Sequence, residues 1–290
     1  GQNDLLLKVS GERKSGQFLW DVAATSPGTQ IALARAGYLQ PLRPLLMLPD
    51  VFDDSKWIGG FGGGYVDTAR STAYMFTSTV LWNAHINRDV IPEAQLNKFD
   101  QLWDPKWKGK MAMLDPTTPN QGQLVAATIM IAKGPDKLTS LLKTQMPTSG
   151  QDRRQLVEWV VRGQYPIGLG VGRSGLQDME NQGVSTKHVK PLIDDDQAAA
   201  TTNGASGALG IFNQPPHPNA TKLLANWLLT AEAQKLWSEK TDNNSRRLDV
   251  PVVDPEGALD PKRNYIALDD EQYTDARNRA GQISKAALGG

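Results

Sequence analysis

Apolar residues along the chain fall into short continuous runs and longer stretches with a repeat near 3.6. The runs FLWDVAAT (18–25), TAYMFTSTVLW (72–82), MAML (111–114), YPIGLGV (165–171), VKPLI (189–193) and ALGIF (208–212) predict buried strands. Helical periodicity predicts a helix over 4–14, capped by Asn3 or Asp4, and another through IALARAG that ends at Gly37. It also predicts 121–133, closed by Gly134, and 149–163, with Leu156, Trp159 and Val160 on one face. The stretch 218–237, apolar at 220, 223, 224, 227, 228 and 231, predicts a long core-facing helix broken at Thr230. Strand-like and helix-like segments alternate, which predicts an α/β protein, with the Pro- and Gly-rich 38–64 as a structured connection.

Two strand-to-helix turns share one construction. After FLWDVAAT comes Ser26-Pro27-Gly28-Thr29, and after MAML comes Asp115-Pro116-Thr117-Thr118-Pro119-Asn120. In each, a hydroxyl residue is expected as the N-cap with proline following at the first helical position, where its missing N–H costs nothing. Turns of this kind stand at the carboxyl ends of strands, where α/β proteins bind ligands. Thr25, Ser26 and Thr29 from the first turn, and Thr117, Thr118, Asn120 and Gln121 from the second, are therefore candidate ligand contacts in two lobes facing a shared cleft. The plain alternative is that both turns are ordinary caps.

A third turn, Gly170-Val171-Gly172-Arg173-Ser174-Gly175, has the GxGxxG spacing, and Asp194, Asp195 and Asp196 follow where a ribose-binding acid would stand. Read as a dinucleotide fingerprint, it makes the chain an NAD(P)-dependent oxidoreductase. The helix after it is short, and too few further βαβ units surround it. A turn offering N–H groups, with Arg173 and Ser174 as ligand contacts, is the favoured reading.

Composition narrows the function. In 290 residues, Lys+Arg and Asp+Glu number 31 each, so no net positive field draws in a polyanion, and the basic-aromatic stretch LWDPKWKGK at 102–110 is not expected to bind nucleic acid. The chain has no cysteine, which excludes disulfides and thiolate chemistry, and His85, His188 and His217 lack metal-ligand spacing. The IDDD run at 193–196 reads as a solvated turn. Neither a nucleophile elbow nor a phosphate-binding Walker loop is present. No catalytic residue, metal site or cofactor is expected. The start of the chain, charged throughout, does not read as a signal peptide.

The run LWDPKWKGKMAMLDP resembles the segment with which bacterial extracellular solute-binding proteins of family 1 enter their second lobe. GERKSGQFLWDV (11–22), LRPLLMLPDVFDDSKWIGG (43–60), GQYPIGLGV (163–171), HPNATKLLANWLLTAEAQ (217–234) and SRRLDVPV (245–252) agree in the family's order, so the resemblance spans nearly the whole chain. The nearest branch is similar to the iron(III), thiamine and polyamine importers. Iron binders of that branch use adjacent tyrosines, whereas Tyr165 stands alone here. The family also begins with a strand and helix ahead of the first matching segment, which this chain starts too late to contain.

The resemblance implies a two-lobed type 2 periplasmic-binding fold, each lobe a mixed sheet flanked by helices. Lobe 1 is expected to be 1–84 plus 208–250, and lobe 2 to be 85–207 plus 251–290, with a hinge near 82–89 and 203–210. Asn203, in the second crossing, joins the candidate ligand contacts. Trp103 and Trp107 would pack into the second lobe while their lysines stay solvated. The implied protein is a monomeric receptor, periplasmic or extracellular, that captures a small molecule or ion chelate between its lobes. It delivers that ligand to the membrane subunits of an ABC transporter.

Overall fold

The computed structural model describes residues 2–289. The chain begins with α1 (Gln2–Lys14), β1 (Val22–Thr25), α2 (Pro27–Arg35), β2 (Leu39–Gln40), β3 (Tyr74–Met75), β4 (Thr79–Trp82) and β5 (Ala84–Asn87). It continues through β6 (Met111–Leu114), α3 (Gln121–Lys133), α4 (Pro135–Ser140), β7 (Thr148–Gly150), α5 (Arg153–Val161), β8 (Ile167–Leu169) and α6 (Arg173–Glu180). The last part holds β9 (Val189–Pro191), β10 (Ala200–Asn203), β11 (Ala208–Phe212), α7 (Pro218–Leu228), α8 (Ala231–Thr241) and α9 (Thr274–Leu288). It divides into two compact units: 1–80, 203–262 and 269–272 form unit 1, and 81–202, 263–268 and 273–290 form unit 2. The crossings lie within β4 and β10, between 262 and 263, and on either side of 269–272; residues 251–262, expected with the second lobe, are in unit 1.

In unit 1, β11 is central and runs antiparallel to β1, β2 and β3. All five residues of its ALGIF run are buried, as a continuous apolar run requires. Wholly buried Gln30 of α2 ties the helix to the sheet: its Nε2 donates to Ala23 O at 2.8 Å and to Ala208 O at 3.1 Å. An aromatic cluster of Trp57, Phe61, Tyr65 and Tyr74 fills the space under 38–64, with Phe61 and Tyr74 stacked at 4.5 Å.

Four sequence expectations change in unit 1. The strand expected over 18–25 is regular only from Val22, and that over 72–82 splits into β3 and β4. Helix α1 starts at Gln2, so Asn3 and Asp4 lie inside its first turn and not before it. The stretch 218–237 does break at Thr230, whose hydroxyl accepts from Ala233 N, but α7 does not turn its apolar stripe inward. Leu223 is 70% exposed and Trp227 44%, while Thr221, Ala225, Asn226 and Leu228 face the core. Asn226 decides the orientation: its Oδ1 accepts from Met47 N (2.7 Å) and Leu48 N (3.0 Å), and its Nδ2 donates to Leu45 O (3.0 Å). Turned outward, it would leave those backbone groups unmatched.

In unit 2 the sheet order is β7-β6-β8-β5-β9, with β6 parallel to β7 and β8, and β5 antiparallel to β8 and β9. Helices α3 and α9 pack together over one face, with Ile129 of α3 and Ala280 of α9 in the same core. Helix α5 covers other residues through Leu156, Val157 and Val160. It begins at Arg153 with Asp152 as its cap, because Ser149 and Gly150 extend β7. Trp107 is buried in this core and Trp103 packs against it, while Lys106, Lys108 and Lys110 remain exposed, which gives the basic-aromatic stretch a packing role.

Candidate solute-binding site

In unit 2 the loops after β6 and β8 meet. Asn120 caps α3: its Oδ1 accepts from Gly122 N at 2.6 Å and Gln123 N at 3.3 Å, and its Nδ2 donates to Asp115 O and to Thr118 Oγ1. Thr117 is held by its N–H on Asp115 Oδ1, at 2.8 Å. These polar side chains shape the turn, and Gln121 follows as the first residue of α3. A Cβ placed on Gly172 would lie 2.7 Å from Gln121 Nε2, and one on Gly170 3.4 Å from the Gln121 carbonyl carbon. Gln121 Oε1 is buried and has no hydrogen-bond partner among the described residues. A small cavity lined by Leu81, Trp82, Asn83, Gln121, Gly172 and Thr201 opens there.

Both loop glycines adopt positive φ, 80° at Gly170 and 70° at Gly172, which an L side chain rarely tolerates. Gly172 is also the N-cap of α6 and has no side chain to cap the first-turn N–H groups. Arg173 and Ser174 follow at the start of that helix, and Ser174 Oγ accepts from Arg153 Nη1 at 3.1 Å. Helix N-termini carry partial positive charge, so this corner favours an anionic group.

Two of the three acids of the dinucleotide reading, Asp194 and Asp196, are engaged elsewhere. Asp194 is buried and accepts from Phe99 N at 2.7 Å and Lys98 Nζ at 3.1 Å. Burial works to raise its pKa, but these bonds hold it below the usual carboxylate range. Asp196 caps the turn at Ala198 and pairs with Lys133.

In unit 1, Ser26 caps α2, accepting from Thr29 N at 3.4 Å, and its hydroxyl lies 3.0 Å from that of Thr29. Thr25 Oγ1 accepts from Gln30 Nε2 at 2.9 Å. Asn203, at the end of β10, accepts from Ala205 N at 2.7 Å and holds the next residues in a tight loop with Ala205 at φ 47°. That loop sits on the α2 turn: a Cβ on Gly204 would come 2.9 Å from Pro27 Cγ. Thus Thr25, Ser26, Thr29 and Asn203 gather in unit 1, while Thr117, Thr118, Asn120, Gln121, Arg173 and Ser174 gather in unit 2. The pairing of Gln121 with the glycine turn was not visible in the sequence, since α3, α4, β7, α5 and β8 intervene between them.

The sequence profile described as "Bacterial extracellular solute-binding protein" matches residues 51–240, well over half of the chain. The chain belongs to that family. This solute-binding protein captures a small ligand for an ABC importer. Its two-lobed fold is shared with solved structures of low sequence identity. A Trichodesmium protein, IdiA or FutA, in complex with iron and citrate ligands, has a TM-score of 0.72 at 19% identity, over 99% of this chain and 88% of that one. FutA2 of Synechocystis in its apo form has a TM-score of 0.71 at 17% identity, over 99% and 89%. A Bordetella ferric binding protein has a TM-score of 0.71 at 19% identity, over 98% and 87%. A search of curated protein sequences returns no match.

Proposed function

We propose that this solute-binding protein takes an anionic solute, with a metal–carboxylate chelate as the favoured class. The observation that carries the reading is the corner where the Gln121 amide, with its Nε2 beside Gly172, meets the glycine-capped start of α6 at Arg173. Amide, hydroxyl, guanidinium and backbone N–H groups donate hydrogen bonds to anionic oxygens. They are poor ligands for a bare ferric ion, which favours oxygen anions of the protein itself.

The tyrosines support a chelate over the bare ion. Burial, with the nearby Asp67 charge, pushes Tyr65 up to about 12, and burial raises Tyr74 well above its ordinary value, so neither forms a phenolate readily. Tyr165 packs its ring on Trp159 at 5.4 Å. The receptor acts as a monomer outside the cytoplasm, hands its solute to the importer's membrane subunits and performs no turnover of its own.

Calorimetry with ferric citrate, citrate, free ferric ion, inorganic phosphate and uncharged thiamine analogues tests the reading. Saturable binding of ferric citrate or citrate, lost at high salt in proportion to its charge, is the expected result. Saturation by a neutral or cationic solute, with no response to any anion, would overturn it.

A further inference from the structure

The segment 269–272 belongs to unit 1 although the chain on both sides of it, 263–268 and 273–290, belongs to unit 2. Its three acids grip unit 1 at separate points. Asp269, buried, accepts from Gly204 N at 2.6 Å. Asp270 pairs with Arg70 at 2.5 Å. Glu271 pairs with Arg35, accepts from Thr68 N at 2.6 Å and Thr68 Oγ1 at 2.8 Å, and donates its own N–H to Val66 O at 2.8 Å.

Two of these grips lead to opposite ends of α2. Arg35 is the last residue of that helix. Gly204 lies against Pro27, the first, with no room for even a Cβ, and its carbonyl is fixed from the other side by Thr77 Oγ1 at 2.7 Å. Between them Ile31 of α2 packs with Val66, Ala73 and Met75, so the middle of the helix rests on the same patch. We propose that Asp269–Glu271 is a clamp that sets the position of α2, with Asp269 and Glu271 as positioning residues for the solute-binding turn Ser26–Thr29. The role assigned to that turn rests on the function proposed above, whereas the clamp itself does not.

Amide exchange followed by NMR, with ferric citrate as the binding probe, tests the clamp. Asp269→Ala should speed exchange of the Gly204 and Thr29 amides by about tenfold or more, and Asp269→Asn, which keeps an acceptor oxygen, by less than about threefold. Glu271→Gln should speed exchange in the last turn of α2, leaving Gly204 unchanged. Arg70→Ala removes a partner that does not touch α2 and should leave both amides as they are. Affinity for ferric citrate should fall by about tenfold in Asp269→Ala and stay near wild type in Asp269→Asn. Unchanged exchange at Gly204 and Thr29 in Asp269→Ala would overturn the clamp. If Asp269→Ala does not fold, faster Gly204 exchange in Glu271→Gln, or no change in the last turn of α2, overturns it instead. If wild type does not bind ferric citrate, the functional reading fails and the exchange data still decide the clamp.

Discussion

Gln121 and Gly172 are matched in shape: the backbone of the glycine passes so close to the amide that a Cβ would sit 2.7 Å from Gln121 Nε2. Gly172 is also at φ 70°. Gly172→Ala should therefore destabilise the protein by about 1–3 kcal/mol and displace the Gln121 amide. Gly183→Ala is the control, because Gly183 has φ 83° but nothing within 4 Å of a new Cβ. Both variants should melt earlier in thermal denaturation, and only Gly172→Ala should weaken ferric citrate binding in calorimetry.

The outward stripe of α7 gives a second prediction. Leu228 is 6% exposed and packs in the core with Leu229 and Ala225, whereas Leu223 is 70% exposed. Leu228→Ala should cost about 2–5 kcal/mol in urea denaturation. Leu223→Ala should cost less than about 0.5 kcal/mol. A larger loss at Leu223 than at Leu228 would mean that α7 turns Leu223 and not Leu228 to the core.

Buried Arg247 organises two carboxylates. Its Nε and Nη2 donate to Asp249 at 2.8 and 2.7 Å, and Nη2 reaches Asp50 Oδ2 at 3.1 Å. Hydrogen bonds from Arg247 depress the Asp249 pKa; Asp50 is depressed chiefly by its bond from Lys56, with Arg247 adding to it. A depressed carboxylate contributes stability that is present above its unfolded value, about 3.9, and is lost as pH falls through the folded value. Arg247→Met should cost about 1–3 kcal/mol at neutral pH, less than a fully buried pair because both carboxylates reach water. The gap between variant and wild type should narrow as pH drops below about 4, in denaturation curves taken from pH 7 to 3. A gap that stays constant across that range would remove the ionic contribution.

How much of this was legible in the sequence depends on whether local or distant contacts decide. Ser26 was legible as a cap, because a cap is set by residues within a few positions of itself; at the second turn the expected hydroxyl cap is replaced by Asn120, one residue beyond the proline. The exposed stripe of α7 misled, since periodicity shows that a face exists but not which way it turns; Asn226 and the distant backbone of 45–48 settle that. Helix α9 was missed because TDARNRAGQISKAAL buries mainly small residues, Ala280, Gly281 and Ser284, and so carries little apolar signal. In LDDEQY nothing local marks Asp269, whose partner Gly204 is fixed only by the tertiary fold. The GxGxxG spacing was real as a glycine turn, and of the three acids after it, Asp194 is engaged by Lys98 and Phe99 and Asp196 by Lys133.

Gln121 offers the most direct test of solute charge. Its Oε1 has no partner among the described residues, and an amide can rotate to present Nε2 to an incoming anion. Removing it costs the free protein no hydrogen bond of that oxygen, so Gln121→Ala should leave the melting temperature nearly unchanged. A lost hydrogen bond to a charged group is worth about 1.5–3 kcal/mol, which corresponds to roughly a tenfold or greater loss of affinity. Gln121→Glu keeps the shape and adds a negative charge at the mouth of α6, so for an anionic solute it should weaken binding beyond the alanine variant, most strongly at low salt. Calorimetry at two ionic strengths separates the effects: if Gln121→Glu binds ferric citrate as tightly as wild type, the solute's anionic group does not reach this corner.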